Sequence, residues 1–418
     1  MRVAVIGSGI SGLSAAWLLS RKYEVHLFEK DSRLGGHTHT HTVETSLGPQ
    51  QIDTGFIVHN DKTYPNLIRL FDELGLVRED SEMSWGVTGD RNGIEYSSRG
   101  LGGFFASRRR VFVPSQWKLL GDILRFNREA AELSHSGRAE GLTLGEFVEE
   151  RAYSQIFRDY YLYPTVAAIW SASPQKVLEF PAATLIRFFE NHGLLTVKGH
   201  PQWRVLRGGS SVYIDQLIQP LGGNVHRDKA VLRVRRDGGN VLVKVEGEEE
   251  SRFDQVVIAS HGPQALEMLS DASGLEREVL ASFEVSNNEA VLHTDQSVLP
   301  KRQAAWASWN YRIAEERGAP ATLTYDMNRL QNLKSAERYL LTLNSTDRLD
   351  AGKILRRMNY QHPLYTLAAI RSQMRWAEIS GVHGVHFCGA YWFNGFHEDG
   401  YKSALRVAQS LGVECEIR

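Results

Sequence analysis

Three glycines near the N-terminus have the spacing of a pyrophosphate-binding turn. Gly7, Gly9 and Gly12 form the pattern G-x-G-x-x-G, which combines a tight turn, close backbone approach to phosphate and close packing of a helix on a strand. Glu29 follows about 20 residues later, the spacing expected for a carboxylate that binds a ribose 2′-hydroxyl. Because that carboxylate disfavours a 2′-phosphate, the pattern predicts a dinucleotide of the FAD or NAD kind.

The residues around these glycines predict the elements that position them. Residues 3–6 are a continuous β-branched apolar run, typical of a parallel strand that is covered on both faces. A helix over 11–19 would direct its N-terminal dipole at the pyrophosphate. Residues 23–30 predict a second strand with Glu29 at its end, so the sequence begins with a Rossmann-like unit.

A second glycine pair is followed by alternating histidines and threonines, in "RLGGHTHTHTVET" at 33–45. Alternation would place His37, His39 and His41 on one face of a strand. A metal site would need their ring nitrogens to converge with a carboxylate or a cysteine nearby. We favour a strand whose function depends on the adjoining glycines, predict no metal, and place His37 beside the cofactor because it follows Gly36.

The stretch after Glu29 resembles the second fingerprint of the flavoprotein amine oxidases and phytoene desaturases. In that superfamily an arginine followed by a glycine pair runs along the FAD pyrophosphate, and a D-x-G turn follows a short hairpin. The matching residues here are Arg33, Gly35, Gly36, Asp53 and Gly55. Glycine lets backbone amides approach phosphate and ribityl oxygens closely. The resemblance implies FAD, and a covalent histidyl link to the flavin stays open.

The segment 384–412, "GVHFCGAYWFNGFHEDGYKSALRVAQSLG", resembles the C-terminal flavin motif of the same superfamily. It predicts a strand over 385–388, a turn at Gly389 and Ala390, and a helix over 403–411, whose dipole would stabilise negative charge on the reduced flavin. The acidic residue usual after the glycine is absent here. His397 and Glu398 are the predicted catalytic residues, and the alternative is that Glu398 and Asp399 are capping charges near the helix N-terminus.

The resemblance covers residues 1–60, 203–262 and 383–411, and it implies that Val231 touches the adenine through its main chain. The predicted FAD contacts are Gly7, Gly9, Ile10, Ser11, Gly12, Glu29, Lys30, Arg33, Gly35, Gly36, His37, Thr38, Asp53, Gly55, Val231, Gly389, Ala390, Gly395, Phe396 and His397. We therefore expect an α/β protein in which a discontinuous Rossmann-like FAD-binding domain (1–75, 201–264 and 376–418) accompanies an α+β substrate domain (76–200 and 265–375).

Composition restricts the partners and the compartment. The formal net charge is -1, so no global field attracts nucleic acid. Two cysteines, Cys388 and Cys415, are too few for a disulfide framework and fit a reducing compartment. The N-terminal apolar segment is interrupted by glycines, which favours a strand over a secretory signal. We expect a cytoplasmic protein without nucleic acid partners.

The segment 102–131, "GGFFASRRRVFVPSQWKLLGDILRFNREAA", mixes aromatic and basic residues in the way that interfacial segments on anionic lipid do. It predicts that Phe104, Phe105 and Phe112 insert while the arginines 108–110 attract lipid headgroups, so that the protein is peripheral on the inner membrane. The alternative is a surface loop followed by an ordinary helix from about residue 115. The six residues in this prediction are Phe104, Phe105, Arg108, Arg109, Arg110 and Phe112.

Many large aromatic residues, among them Trp85 and Trp309, fall in the expected substrate domain, where they would form either core or an apolar pocket over the flavin. The whole chain resembles a bacterial subgroup of predicted NAD/FAD-binding oxidoreductases whose genes often neighbour cyclopropane fatty acyl synthases. This resemblance implies an FAD-dependent oxidoreductase that removes a hydride from a fatty acyl chain, by desaturation or oxidation of a methylated or cyclopropanated lipid. The alternatives are a flavin amine oxidase and a non-catalytic flavin-binding partner of a lipid-modifying complex.

Overall fold

A parallel sheet forms the centre of one half of the molecule. The computed structural model describes residues 1–136, 141–170, 178–191, 195, 200–313 and 322–418. The sheet has five parallel strands in the order Val225–His226, Glu24–Phe28, Arg2–Ile6, Gln255–Ile258 and Val385–Phe387. Val3, Ala4 and Val5 in the central strand are fully buried, as a strand covered on both faces requires. The predicted strands at 3–6 and 23–30 are confirmed, the second over Glu24–Phe28.

Two helices from opposite ends of the chain pack together on this sheet. The first helix, Ile10–Ser20, lies against the C-terminal helix, His397–Ser410. At their crossing a Cβ on Gly400 would come within 2.6 Å of Ile10 Cγ2, so this contact requires glycine. The C-terminal helix begins six residues before the predicted start at residue 403, because Asp399 caps its first turn by accepting a hydrogen bond from the Phe396 backbone N–H at 2.9 Å.

A mixed sheet forms the centre of the other half. It has seven strands in the order Ile354–Pro363, Val285–His293, Leu340–Leu343, Thr322–Asp326, Trp309–Ile313, Trp85–Gly89 and Ile94–Ser97. All neighbours are antiparallel except Trp309–Ile313 and Trp85–Gly89, which run parallel. One large hydrophobic core joins this sheet to the long helix Pro114–Ser136 and to the helix Ala182–Asn191.

Three smaller sheets complete the described strands. They are the hairpin Thr40–Val43 with Gln50–Asp53; the group His59–Asn60, Trp203–Leu206 and Arg78–Ser81; and the group Val231–Asp237, Asn240–Val245 and Ser251–Phe253. The further α-helices are Pro65–Glu73, Gly100–Phe104, Leu144–Glu150, Gln155–Phe157, Tyr163–Trp170, Ile214–Ile218, Gly262–Met268, Gly274–Ala281, Met327–Leu330, Leu367–Gln373 and Trp376–Ile379. Among the residues described, no helix has the length and apolar character to cross a bilayer.

Candidate active site

The predicted glycine turns meet above the N-terminus of the first helix. Gly7 has φ +101°, a conformation that favours glycine. A Cβ on Gly36, at φ +57°, would lie 3.1 Å from Gly9 Cα, so the two turns touch. A Cβ on Gly9 would meet no protein atom within 4 Å, so open space lies over the amides of the helix N-terminus. This cradle fits a pyrophosphate, which approaches glycine backbone and helix dipole in this way.

Glu29 stabilises the same turns. Its carboxylate accepts hydrogen bonds from the Ser8 backbone N–H at 2.9 Å, the Ser8 hydroxyl at 2.6 Å and the Asp31 backbone N–H at 3.0 Å. A carboxylate offers about four acceptor positions, so room remains for a ribose hydroxyl. Lys229 N donates to Glu29 O at 2.8 Å, which places the strand that starts at Val231 beside this carboxylate. Lys30 is exposed next to it.

The Arg33 side chain stabilises the second glycine turn by hydrogen bonds to its backbone. Its guanidinium donates to the carbonyls of Leu34, Gly36 and Thr38 at 3.0, 2.8 and 2.9 Å. The side chain therefore shapes the loop that the resemblance places along the pyrophosphate. A Cβ on Gly55 would overlap the His37 carbonyl, so the hairpin turn packs directly on this loop.

Asp53 joins both halves of the molecule. It is fully buried, and its oxygens accept from Thr40 Oγ1 at 2.5 Å, Ser210 N at 2.9 Å and Gln331 Nε2 at 2.8 Å. Burial raises the pKa of Asp53 to about 6, against the effect of these hydrogen bonds. Asp53 thus fastens the hairpin to the turn at Ser210 and to the large sheet, and its role toward a cofactor stays a prediction.

His397 lies inside the site and is bonded to the glycine loop. Its Nε2 is 3.0 Å from Thr38 Oγ1, which also has a short hydrogen bond with the Tyr213 hydroxyl. The imidazole stacks on Phe56, with ring centroids 3.8 Å apart and 9° between the planes. Burial lowers the pKa of His397 to about 3, so the ring is neutral at pH 7. This geometry suits a residue that orients Thr38.

Glu398 points away from the glycine loop and caps another helix. Its Oε1 accepts from Asn66 N at 3.1 Å and Asn66 Nδ2 at 2.6 Å, and its Oε2 accepts from Leu67 N at 2.8 Å. These amides belong to the first turn of Pro65–Glu73. Glu398 therefore acts as a capping charge. The helix that it caps is Pro65–Glu73 and not its own helix, His397–Ser410. We therefore assign Glu398 no part in the proposed chemistry.

The turn before the C-terminal helix brings the two halves together. Gly389 N donates to Ser403 Oγ at 3.0 Å, and Ala390 begins a short 3-10 turn that ends at Trp392. Gly395 has φ +89°, a conformation that favours glycine. Phe396 follows it and packs against the core of the parallel-sheet half and against that of the large-sheet half.

The three alternating histidines separate in the structure. The strand begins only at Thr40, and the rings of His39 and His41 lie 4.0 Å apart, whereas His37 turns toward the large sheet. The expectation that all three share one strand face is wrong, since the glycine turn extends through His37. In the part of the chain that is described, no group of three or more His, Cys, Asp or Glu side chains could hold a metal ion.

His37 instead meets two histidines that sequence reasoning missed. Its ring centroid lies 5.4 Å from that of His362, at the end of the strand Ile354–Pro363, and 6.4 Å from that of His261. His261 follows the carboxyl end of the strand Gln255–Ile258, where open α/β sheets bind ligands, so this position carried a usable signal. His362 carried none, because only the tertiary fold brings it to His37.

Aromatic side chains line one region of the large sheet. The rings of Trp85 and Trp309 lie 6.3 Å apart, and Tyr325 meets Trp309 edge to face at 5.0 Å. All three keep some accessible surface although they pack against the large core, as Phe396 also does. Both indole nitrogens are buried without a hydrogen-bond partner in the described structure. The three residues thus form a partly accessible aromatic cluster on the large sheet.

The predicted interfacial segment is exposed only in part. Phe104 is 8% exposed, so its predicted insertion is wrong: it packs in the core beside Tyr96 at 5.2 Å. Phe105 packs on Trp117 at 4.9 Å, and Arg110 donates to the carbonyls of Asn92 and Gly93. We call the exposed basic and apolar residues in and around this segment the basic apolar patch. Its members are Leu101, Arg108, Arg109, Val111, Phe112, Trp117 and Leu124.

Comparison with known proteins identifies the family. Residues 10–325 match the model of the flavin containing amine oxidoreductases. Amine oxidase [flavin-containing] A of Equus caballus is 22% identical over 364 residues, which are 83% of this chain and 66% of the horse protein. Protoporphyrinogen oxidase 2 of Arabidopsis thaliana is 26% identical over 180 residues, 42% of this chain and 34% of that protein. The aligned part thus spans less than two thirds of either relative.

Solved structures share the fold over nearly the whole chain. Cyclohexylamine oxidase from Brevibacterium oxydans has a TM-score of 0.70 at 18% identity and covers 98% of this chain and 99% of its own. A fatty acid isomerase from P. acnes has a TM-score of 0.71 at 14% identity, with 99% of each chain covered. The predicted α/β fold, a Rossmann-like FAD domain with a substrate domain, is confirmed. The chain belongs to the flavin containing amine oxidoreductase family, a family of FAD-dependent oxidoreductases, and its cofactor is FAD.

Proposed function

We propose that this protein is an FAD-dependent oxidoreductase that removes a hydride from a fatty acyl chain. The observation that supports this substrate class is the aromatic region of Trp85, Trp309 and Tyr325, which packs against the same large core as Phe396. An aromatic wall suits a hydrocarbon chain, since it offers apolar surface against which the chain can be buried. The fatty acid isomerase with this fold is consistent with such a substrate.

The chain's own residues would bind and orient. The glycine turns and the first helix hold the pyrophosphate, Glu29 the ribose, and the N-terminus of the C-terminal helix faces the flavin end. Bound FAD supplies the hydride acceptor. His397, kept neutral by its lowered pKa, positions Thr38 through the 3.0 Å hydrogen bond.

Amine oxidation is the second candidate function. Family membership and the 22% identity with the horse amine oxidase favour it. The neighbouring rings of Trp85 and Trp309 would also offer aromatic faces to a neutral amine. An amine substrate would have to enter unprotonated, so its oxidation would become faster as the pH rises toward the pKa of the amine.

The basic apolar patch supports a proposal on where in the cell the protein binds its substrate. Phe112 is 85% exposed and Leu101 is 70% exposed, beside the exposed arginines Arg108 and Arg109. Apolar side chains next to cations match an anionic bilayer surface, where each basic residue contributes about 1 kcal/mol. A protein docked there avoids moving an acyl chain through water, at about 0.8 kcal/mol for each exposed CH₂. We therefore propose a cytoplasmic protein that is peripheral on the inner membrane.

Anaerobic flavin reduction tests the substrate class. Purified holoprotein is mixed with acyl phospholipids, long-chain acids, monoamines or polyamines, and loss of flavin absorbance is followed. Bleaching by an acyl compound supports the leading proposal, whereas bleaching by amines alone refutes it. Trp309→Leu is expected to slow acyl-dependent bleaching at unchanged flavin content. The matched control is Trp306→Leu, because Trp306 packs against a separate small core.

A further inference from the structure

Three imidazoles converge where the two halves of the molecule meet. His37 comes from the glycine loop, His261 from the end of a parallel strand, and His362 from the large sheet, with His37 at 5.4 Å from His362 and 6.4 Å from His261 by ring centroids. The three residues are only partly accessible, and Nε2 of His37 is buried. The rings therefore lie together in the interior where the two halves meet.

The proton of one ring can be assigned. The side-chain amide of Asn288 donates to Ser286 O at 3.3 Å and accepts from Asn344 Nδ2 at 2.8 Å, which fixes its orientation. Its Nδ2 therefore donates to His362 Nδ1 at 3.1 Å, so that neutral His362 carries its proton on Nε2. Nε2 of His37 is buried and has no hydrogen-bond partner among the described residues. An unpartnered buried nitrogen of this kind calls for a ligand.

The groups that face His37 are cationic or neutral. Besides His261 and His362 they are Arg33 on its own loop, Tyr360 on the strand of His362 and His397 on the C-terminal helix. The largest effects on the pKa of His37 come from burial and from His362, His261, His397 and Arg33, and none of these groups is a carboxylate. Burial and these neighbours lower the pKa of His37, and burial lowers that of His362 to about 4. Without a ligand the cluster is neutral at pH 7, because burial lowers the pKa of all three imidazoles.

We propose that His37, His261 and His362 form an anion-binding site that takes up a proton as the anion enters. Two anions have the required chemistry, the pyrophosphate of FAD and the carboxylate of a substrate. Of the two anions, the pyrophosphate would lie nearer to His37. His37 follows Gly36 in the chain, and Gly36 touches Gly9 at the helix N-terminus. The inference goes beyond the proposed function, and the cofactor arm of its test does not depend on which substrate is oxidised.

Proton uptake fixes the sign of the pH dependence. An anion raises the imidazole pKa from its low value in the free site, so binding is tightest at low pH and weakens as pH rises through the pKa of the occupied site. For one proton, the dissociation constant rises by up to about tenfold per pH unit between the pKa of the free site and that of the occupied site, and it levels off above the latter. Arg33 keeps its charge throughout, so binding weakens without being abolished.

The test follows FAD release from the holoprotein. Holoprotein is diluted stepwise between about pH 6 and about pH 9, and freed FAD is measured by its fluorescence. We expect wild type to release FAD more readily as pH rises. His37→Gln should bind FAD about tenfold more weakly at the lowest pH and lose this slope, and His37→Arg should bind tightly at every pH because its charge is permanent. His383→Asn, at an exposed histidine with φ +50°, is the matched control and should behave as wild type.

A second arm distinguishes the two anions. Holoprotein is titrated with a long-chain carboxylate and with the matched alcohol, and the oxidised flavin spectrum is followed over the same pH range. If His37→Gln changes the slope of FAD release, the anion is the pyrophosphate. If it changes only the pH dependence of carboxylate binding, the anion is the substrate. Unchanged slopes in both arms, for folded His37→Gln and His362→Gln, would overturn the proposal.

Discussion

The carboxylate of Glu398 accepts a hydrogen bond from the backbone N–H of Leu67 at 2.8 Å, so a residue of the C-terminal helix caps the helix Pro65–Glu73. Such a cap contributes about 1–2 kcal/mol to stability. The contact also joins two segments that are far apart in the sequence, and it makes the position of the C-terminal helix depend on the folding of Pro65–Glu73.

Replacement of Glu398 should reduce stability rather than remove activity. Glu398→Ala leaves the amides of Asn66 and Leu67 without their acceptor and should lower the free energy of unfolding by about 1–3 kcal/mol, measured by denaturant titration. Glu398→Gln keeps one acceptor oxygen and should lose less. If Glu398→Gln has normal stability but its flavin is not reduced by substrate, the result would support the catalytic role that the sequence predicts for Glu398.

Asp399 should make the protein less stable as pH rises. Burial raises the pKa of Asp399 to about 7 in the folded protein, above the value of about 4 in an unfolded chain. The folded state therefore binds the extra proton between these values, and stability falls as pH rises from about 4 to about 7. Asp399→Asn cannot ionise and should flatten this fall by on the order of 4 kcal/mol. Thermal unfolding at saturating FAD measures it, and equal slopes for both proteins would contradict it.

Gly9 should be required for the cofactor and not for the fold. Gly9→Leu places its side chain in the open space of the cradle, where no protein atom lies within 4 Å of the Cβ, so the protein should fold and lose FAD. Flavin absorbance per folded protein measures the loss. Gly274→Leu, at an exposed glycine with equal open space, is the control. Wild-type flavin content in folded Gly9→Leu would refute the placement of the pyrophosphate.

The basic apolar patch should carry any attachment to membranes. Arg108→Glu with Arg109→Glu should abolish sedimentation with anionic vesicles at low salt while flavin content stays unchanged, because both side chains are exposed and belong to none of the glycine turns. Phe112→Ser should weaken it through lost insertion. Arg277→Glu with Lys334→Glu makes the same charge change at exposed positions elsewhere. Equal sedimentation of the two double variants, or none by wild type, would end the docking proposal.

The sequence predicted local features well and tertiary ones poorly. The G-x-G-x-x-G turn, the first strands and Glu29 were predictable, because residue type alone determines where a chain can turn tightly or approach a phosphate. The direction in which Glu398 points was not, since it depends on the helix Pro65–Glu73 packing beneath it. His362 was invisible for the same reason: its partner His37 is more than 300 residues away and only the fold joins them.

The parallel sheet has a consequence for the order of synthesis. The strand Val385–Phe387 and the helix His397–Ser410 complete a sheet whose first strand is Arg2–Ile6. At about 5–20 residues per second, a ribosome needs on the order of 20 to 75 s between making the first helix and making its C-terminal partner. During that time the FAD cradle lacks one side, and the apolar face of the first helix has to be shielded. Cofactor insertion in the cell is therefore expected to follow translation of the last strand rather than accompany the emergence of the glycine turn.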